Sequence, residues 1–237
     1  VNLIISKENK KMKEIYSIIG LKEKQSWMMA PKERLAILGL LSILKPQIVL
    51  ELGFAEGGCT EYLSKHSKIV YTVDMDKKVL LAPKSMTNVK AFNMKTDEAF
   101  ELFKSDNLQF NLCIIDADHS TKGALKDLKS AISMSDIIIM HDTSNPKCRK
   151  GYLKALKKSN VFYDLDFVEG QLKSDGLWGG LGIVIPKIVK PKSDQKIYGN
   201  FFYMKIKFYL TIFWSLKFKS IVRNINYLIH RIKLKIN

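Results

Sequence analysis

Short runs of β-branched and aliphatic residues alternate along the middle of the chain with stretches whose apolar positions recur every three or four residues. The first pattern marks strands buried on both faces and the second marks amphipathic helices, so the alternation predicts a mainly parallel sheet with helices on both sides. Strands are expected at 47–52 (QIVLEL), 68–73 (KIVYTV), 88–92 (NVKAF), 110–115 (FNLCII), 136–140 (DIIIM), 161–168 (VFYDLDFV) and 181–186 (LGIVIP). Helices are expected near 32–44, 57–66, 96–104, 121–132 and 146–158. In the fourth of these, Leu125, Leu128 and Ile132 fall on one face.

The pattern changes after Pro186, where Pro186-Lys187-Ile188-Val189-Lys190-Pro191 reads as a boundary. Residues 195–237 carry nine Lys and Arg and no acid, while all 23 acids of a chain with net charge +16 lie earlier. Within this tail Phe218, Ile221, Val222, Ile225, Leu228, Ile229, Ile232 and Ile236 recur at helical steps opposite Lys219, Arg223, Asn226, His230 and Lys233. That is a basic amphipathic helix, suited to an anionic membrane surface or, through its apolar face, to the core or a homodimer. The uncharged stretch 208–216 is far shorter than the ~20 residues that span a bilayer. The map is a helical preamble or lid (1–45), a core (46–190) and a basic tail (191–237).

With 237 residues, 46% of them apolar, the chain can bury one full α/β core. Cys59, Cys113 and Cys148 form no C-x-x-C pair, which speaks against a disulfide framework or structural zinc site and fits a reducing compartment. The opening VNLII turns charged too soon for the core of a secretory signal, so a cytoplasmic location is expected, peripheral on the inner face of the plasma membrane if the tail docks there.

In open parallel sheets ligands sit beyond the carboxyl ends of the strands. Those ends are acidic: Glu51-Leu52-Gly53, Asp74-Met75-Asp76, Asp116-Ala117-Asp118-His119 and His141-Asp142. In ELGFAEGGCT, Gly53 permits a tight turn and Gly57 and Gly58 open the next helix with free amides. Neither a P-loop nor the G-x-G-x-x-G spacing of a dinucleotide site is present. Asp74 lies 21 residues beyond Gly53, where a carboxylate can accept from both ribose hydroxyls. The ligand implied is a nucleoside without pyrophosphate; S-adenosylmethionine is one, and its cationic groups suit a pocket containing Glu51.

VLELGFAEGG, YTVDMD, IIDADHS and IIMHDTSNP together resemble bacterial class I S-adenosylmethionine-dependent methyltransferases related to sugar O-methyltransferases (methyltransferase family 24, cephalosporin hydroxylase-like), and more distantly catechol O-methyltransferase. The resemblance spans about residues 33–186 and implies a Rossmann-like seven-stranded sheet. It implies Asp74 at the ribose, Thr96 and Asp97 near adenine, Asp116 and Asp142 holding magnesium, and His119 as base. It departs from the metal-dependent pattern at His141 and Thr143, where an acid and an amide are usual. Independently, a hydroxyl acceptor needs proton removal, and a divalent ion or His119 can supply it. The plainer reading makes Asp116 and Asp118 caps of the following helix and His141 a partner of backbone groups.

Two smaller features read as packing. Gln25-Ser26-Trp27-Met28-Met29 precedes the first core helix, at a lid position in relatives, and Trp178-Gly179-Gly180 turns into the last strand. Asn145-Pro146 reads as a helix cap. The expected function is methylation of a hydroxyl on a sugar, glycan or glycolipid precursor. The alternative is an RNA methyltransferase or a nucleic-acid-binding protein that keeps the fold, with the tail on phosphates. An N-P-P-Y-like tetrad is missing after the fourth strand and no stacked aromatic platform is visible, which favours the sugar.

Overall fold

The computed structural model describes residues 27–157, 159–173 and 176–187. The preamble before Trp27, the Lys190-Pro191 boundary and the basic tail lie outside the described residues. Element order is α1 (Pro31–Leu44), β1 (Ile48–Leu52), α2 (Gly58–His66), β2 (Ile69–Asp74), a 3₁₀ turn (Lys77–Leu81), α3 (Ala82–Ser85), β3 (Val89–Asn93), α4 (Thr96–Ser105), β4 (Phe110–Ile115), α5 (Thr121–Met134), β5 (Ser135–His141), α6 (Pro146–Leu156), β6 (Phe162–Val168), β7 (Gln171–Lys173), β8 (Gly176–Trp178) and β9 (Leu181–Ile185). All seven expected strands and all five expected helices are present, so the α/β reading holds. The pattern did not foresee the 3₁₀ turn, the four-residue α3 or the β7–β8 hairpin, because each is too short to show a period.

The main sheet runs β3-β2-β1-β4-β5-β9-β6. Strands β1 to β5 are parallel, and β9 inserts antiparallel between β5 and β6. Side chains alternate across the pleat. Leu50, Leu52, Tyr71, Val73, Cys113, Ile115 and Met140 face the layer made by α4, α5 and α6, where Phe103 and Leu128 are buried. Val49, Val70, Leu112, Ile114 and Ile139 face the other layer, where Ile37 of α1 and Leu63 of α2 are buried. Among the described residues no helix is long and apolar enough to cross a membrane.

Caps set where the helices begin. Ser120 Oγ accepts from Gly123 N at 3.0 Å and Asn145 Oδ1 from Lys147 N at 2.9 Å, the expected Asn145 cap. Trp27 is buried and stacked on Tyr62 at 4.8 Å, so the expected packing role of this segment holds. Helices α5 and α6 touch at Gly151, where an added Cβ would come within 2.6 Å of Thr121 O and 2.8 Å of Ala124 Cβ. Gly39, within α1, has open space around it.

These two glycines should respond oppositely to one methyl group. In urea unfolding, Gly39→Ala is expected to raise stability by about 0.5–1 kcal/mol through helix propensity. Gly151→Ala is expected to lower it by roughly 1–3 kcal/mol through overpacking. A stabilising Gly151→Ala would contradict the α5–α6 contact.

Candidate active site

The strand order reverses direction between β1 and β4, and such a switch point opens a crevice at the carboxyl edge of the sheet. Gly53 follows β1 and Asp116 follows β4 at that crevice. Gly53 has φ 96°, and an added Cβ would lie 2.1 Å from Asp116 O. The glycine is therefore required both by the turn and by the close approach of the neighbouring strand's backbone. Gly57 is left-handed at φ 77° and leaves room for the Phe54 ring, and Gly58 begins α2.

Asp74, at the end of β2, is tied to this turn. Its Oδ2 accepts from Phe54 N at 2.7 Å and Ala55 N at 3.3 Å, and its Oδ1 accepts from Asp76 N at 2.8 Å. A carboxylate takes about four hydrogen bonds, so acceptor capacity remains on Oδ1 for a ribose hydroxyl. Beside it Met75 is 69% exposed, and Asn93 Nδ2 donates to Asp74 O and Met75 O. Thr96 and Asp97 are engaged elsewhere. Thr96 donates to Asp127 of α5 at 2.7 Å and Asp97 pairs with Lys126 at 3.3 Å, so their side chains join α4 to α5.

Glu51 is buried beneath the turn. Thr60 and Thr72 both donate to its Oε2, at 2.6 and 2.7 Å, while Oε1 has no hydrogen-bond partner. Burial, opposed by these hydroxyls and by the Cys59 thiol, pushes its carboxyl up to about 7. The chain thus keeps one unsatisfied acidic oxygen below the crevice floor.

At the ends of β4 and β5 carboxylates and imidazoles alternate. His119 Nε2 lies 2.8 Å from Asp142 Oδ2 and 3.4 Å from Asp116 Oδ1. His141 Nδ1 lies 2.8 Å from Asp116 Oδ1, and its Nε2 lies 3.3 Å from Glu33 Oε2. Gly179 N donates to Asp142 Oδ1 at 2.7 Å, and Gly180 N donates to Glu33 Oε1. Asp142 adopts a left-handed backbone at φ 54°, which costs a non-glycine residue roughly 1 kcal/mol and swings its side chain into this array. Capping of the following helix falls to Ser120, whose N and Oγ donate to Asp118, and neither Asp116 nor Asp118 accepts from an amide of that helix among the described contacts.

Hydrogen bonds to Asp116 and Asp142 push the His119 imidazole up to about 10. Burial works to lower the His141 imidazole, but the Asp116 and Glu33 carboxylates outweigh it and raise it well above its ordinary value. Burial works to raise the Asp116 carboxyl, and the two histidines more than reverse this. The plainer reading of His141 as a partner of backbone groups is thus replaced, since its ring bridges two carboxylates.

Magnesium fits these residues poorly. Asp116, His119, His141 and Asp142 offer ligand atoms within 4.8 Å of one another, close enough for one cation. Two of the four are imidazoles, whereas magnesium takes oxygen. Both nitrogens of His141 and both oxygens of Asp142 already have partners within the chain. With two imidazoles among its four members, the set differs from the all-oxygen ligation that magnesium takes.

Sequence reasoning missed Glu33. An acid at the third position of a helix reads as a cap for the first turn, and Glu33 Oε2 does accept from Ala30 N at 2.6 Å. Nothing local shows that its carboxylate also meets a residue 108 positions away. A cleft of about 740 Å³ lies beside Phe54–Gly57, is walled by the Lys65–Glu61 and Lys78–Glu56 pairs, and includes none of the strand-end acids or histidines. The convergence of charge, not cleft volume, marks the site.

Comparison with known proteins agrees with this architecture. The O-methyltransferase of Bacillus cereus, solved with SAH, aligns with a TM-score of 0.56 at 16% identity, covering 77% of this chain and 93% of that one. A putative O-methyltransferase from Klebsiella pneumoniae aligns at 0.56 and 13% identity, covering 79% and 93%. TomG, an O-methyltransferase of Streptomyces achromogenes involved in tomaymycin synthesis and solved with SAM, aligns at 0.55 and 12% identity, covering 79% and 93%. At these identities the likeness is one of fold. No curated protein matches the chain. The family model for FtsJ-like methyltransferases matches residues 18–198, including every strand of the sheet and every residue of the crevice, and the chain belongs to the FtsJ-like methyltransferase family.

Proposed function

We propose that the chain transfers the methyl group of S-adenosylmethionine to a hydroxyl oxygen, on a sugar, glycan or glycolipid precursor. The observation that carries this reading is the Asp116–His119–Asp142 array at the switch-point crevice, which offers an acceptor hydroxyl both a hydrogen-bond acceptor and a proton acceptor. Structural neighbours solved with SAH or SAM support the donor. When bound, that donor supplies an electrophilic methyl group on a cationic sulfur.

The residues present fit such a nucleoside. Asp74 keeps one acceptor position for a ribose hydroxyl, the exposed Met75 offers an apolar surface for the base, and the free Oε1 of Glu51 favours cationic groups above it. On the acceptor side Asp116 Oδ2 orients the hydroxyl, and His119 takes its proton. His119 is 48% exposed and reachable, whereas His141 is enclosed with both nitrogens engaged. A base must first be neutral. With its imidazole near 10, only about one His119 in a thousand is neutral at pH 7, and the fraction rises tenfold per pH unit.

The tail, residues 200–237, we take to hold the enzyme at an anionic membrane surface, where a glycolipid acceptor would lie. Its charge without acids and its apolar stripe support this reading.

Three outcomes follow. Calorimetry with S-adenosylmethionine should show binding that Asp74→Ala weakens at least tenfold; unchanged affinity would remove Asp74 from the donor site. On a panel of nucleotide sugars and glycolipids, kcat should climb with pH from 7 toward 10 and survive exhaustive chelation. His119→Gln should abolish the climb and lower turnover by about 10²–10⁴, and loss of activity on chelation would restore the metal. The full chain should bind anionic vesicles less tightly, yet still measurably, at high salt, while a chain ending at residue 199 should stay unbound. Equal binding by both would rule out the tail as the anchor.

A further inference from the structure

We propose that Glu33 is a positioning residue for methyl transfer: its carboxylate fixes the His141 ring and, through that ring, decides which oxygen of Asp116 stays free for the acceptor. The proposal rests on the reading of Asp116 as an acceptor-side group.

Glu33 is 1% exposed, unlike an ordinary capping glutamate at the open end of a helix. Burying a carboxylate costs far more than a cap returns, so its bond to Ala30 N does not account for its place. Its other partners do. Oε1 accepts from Gly180 N in the turn leading to β9, and Oε2 reaches His141 Nε2 at 3.3 Å. His141 is therefore flanked by carboxylates on both ring nitrogens, Glu33 on one side and Asp116 on the other. A neutral imidazole donates from one nitrogen only, and the second would set lone pair against lone pair. With the Glu33 and Asp116 carboxyls both held below their ordinary range, this geometry calls for a ring protonated at both nitrogens and pinned at both ends. Tyr152 Oη fixes the same residue from below, donating to His141 O at 3.0 Å.

The pinned ring has one consequence at the crevice. It holds Oδ1 of Asp116, at 2.8 Å, and leaves Oδ2 for another partner. Without Glu33 the Nε2 proton has no acceptor, the ring can swing about its χ angles, and Asp116 can pivot. Glu33 touches none of Gly53, Asp74 or Met75 among the described contacts, so donor binding and methyl transfer should separate on its removal.

The test uses the full-length chain carrying Glu33→Gln, His141→Gln and both together. Glu33→Gln should bind S-adenosylmethionine within about twofold of wild type, while kcat for sugar methylation falls by about 100-fold with little change in donor KM. If Glu33 acts through His141, the double variant should lose no more than the worse single variant. Nitrogen NMR of histidine-labelled wild type should show protons on both His141 nitrogens at pH 7, and Glu33→Gln should lose the Nε2 proton signal. Wild-type kcat in Glu33→Gln, losses that multiply in the double variant, or an unaltered His141 spectrum would each overturn the proposal. Should Glu33→Gln fail to fold, Glu33→Asp, whose shorter arm cannot span Ala30, Gly180 and His141 together, is held to the same readouts. A wild type that methylates no hydroxyl acceptor would sink the proposed function, and the NMR comparison would still decide the Glu33–His141 link.

Discussion

Neutralisation of buried acids is the constraint on which the crevice depends. Glu33, Asp116 and Asp142 bring three carboxylates into one small volume, and each would cost several kcal/mol if left unpaired there. Two imidazoles set between them turn a repulsive cluster into an alternating chain of contacts. That chain draws on α1, the ends of β4 and β5, and the glycine turn before β9. Elements far apart in sequence are thereby held to one geometry, and the left-handed backbone at Asp142 is tolerated as part of it.

Glu51 shows what happens when no cation is supplied. Only uncharged hydroxyls and a thiol meet it, and its carboxyl rises to about 7, while Asp116, flanked by histidines, falls below its ordinary value. The two sides of the crevice are therefore electrostatically unlike. Beneath the β1 turn lies an acid close to neutrality, ready to respond to a cationic ligand; at β4 and β5 lies a preorganised array whose charges are already matched. Such a split suits a reaction in which one substrate arrives positively charged and the other must lose a proton.

Much of this fold is legible in the sequence because buried parallel strands are unbroken apolar runs. FNLCII appears as β4 with the same ends, and DIIIM lies within β5. The acids following these runs mark the carboxyl edge for the same reason, since a polar residue ending an apolar run must sit where the sheet stops. Partnership of side chains is not legible in this way. Thr96 and Asp97 occupy a suggestive position after β3 but are bonded to α5, and Asp74 is largely taken up by the amides of its own turn. Glu33 carries the signature of a cap and meets His141 only because α1 crosses the sheet end. Periodicity reports which face a residue occupies, and long-range contacts between side chains leave no trace in it.

The place of β9 in the sheet bears on how the protein comes into being. Residues 51–76, which carry the donor-side groups, precede by about a hundred positions the Gly179–Gly180 turn whose two amides hold Asp142 and Glu33. A nascent chain emerging from the ribosome therefore carries every side chain of the carboxylate–imidazole array before the two amides that hold it, and those amides arrive only when β9 slots between β5 and β6. Synthesis order makes β9 the element that locks the array, so a chain interrupted before residue 179 would bring the acids and histidines together without the backbone donors that fix Asp142 and Glu33.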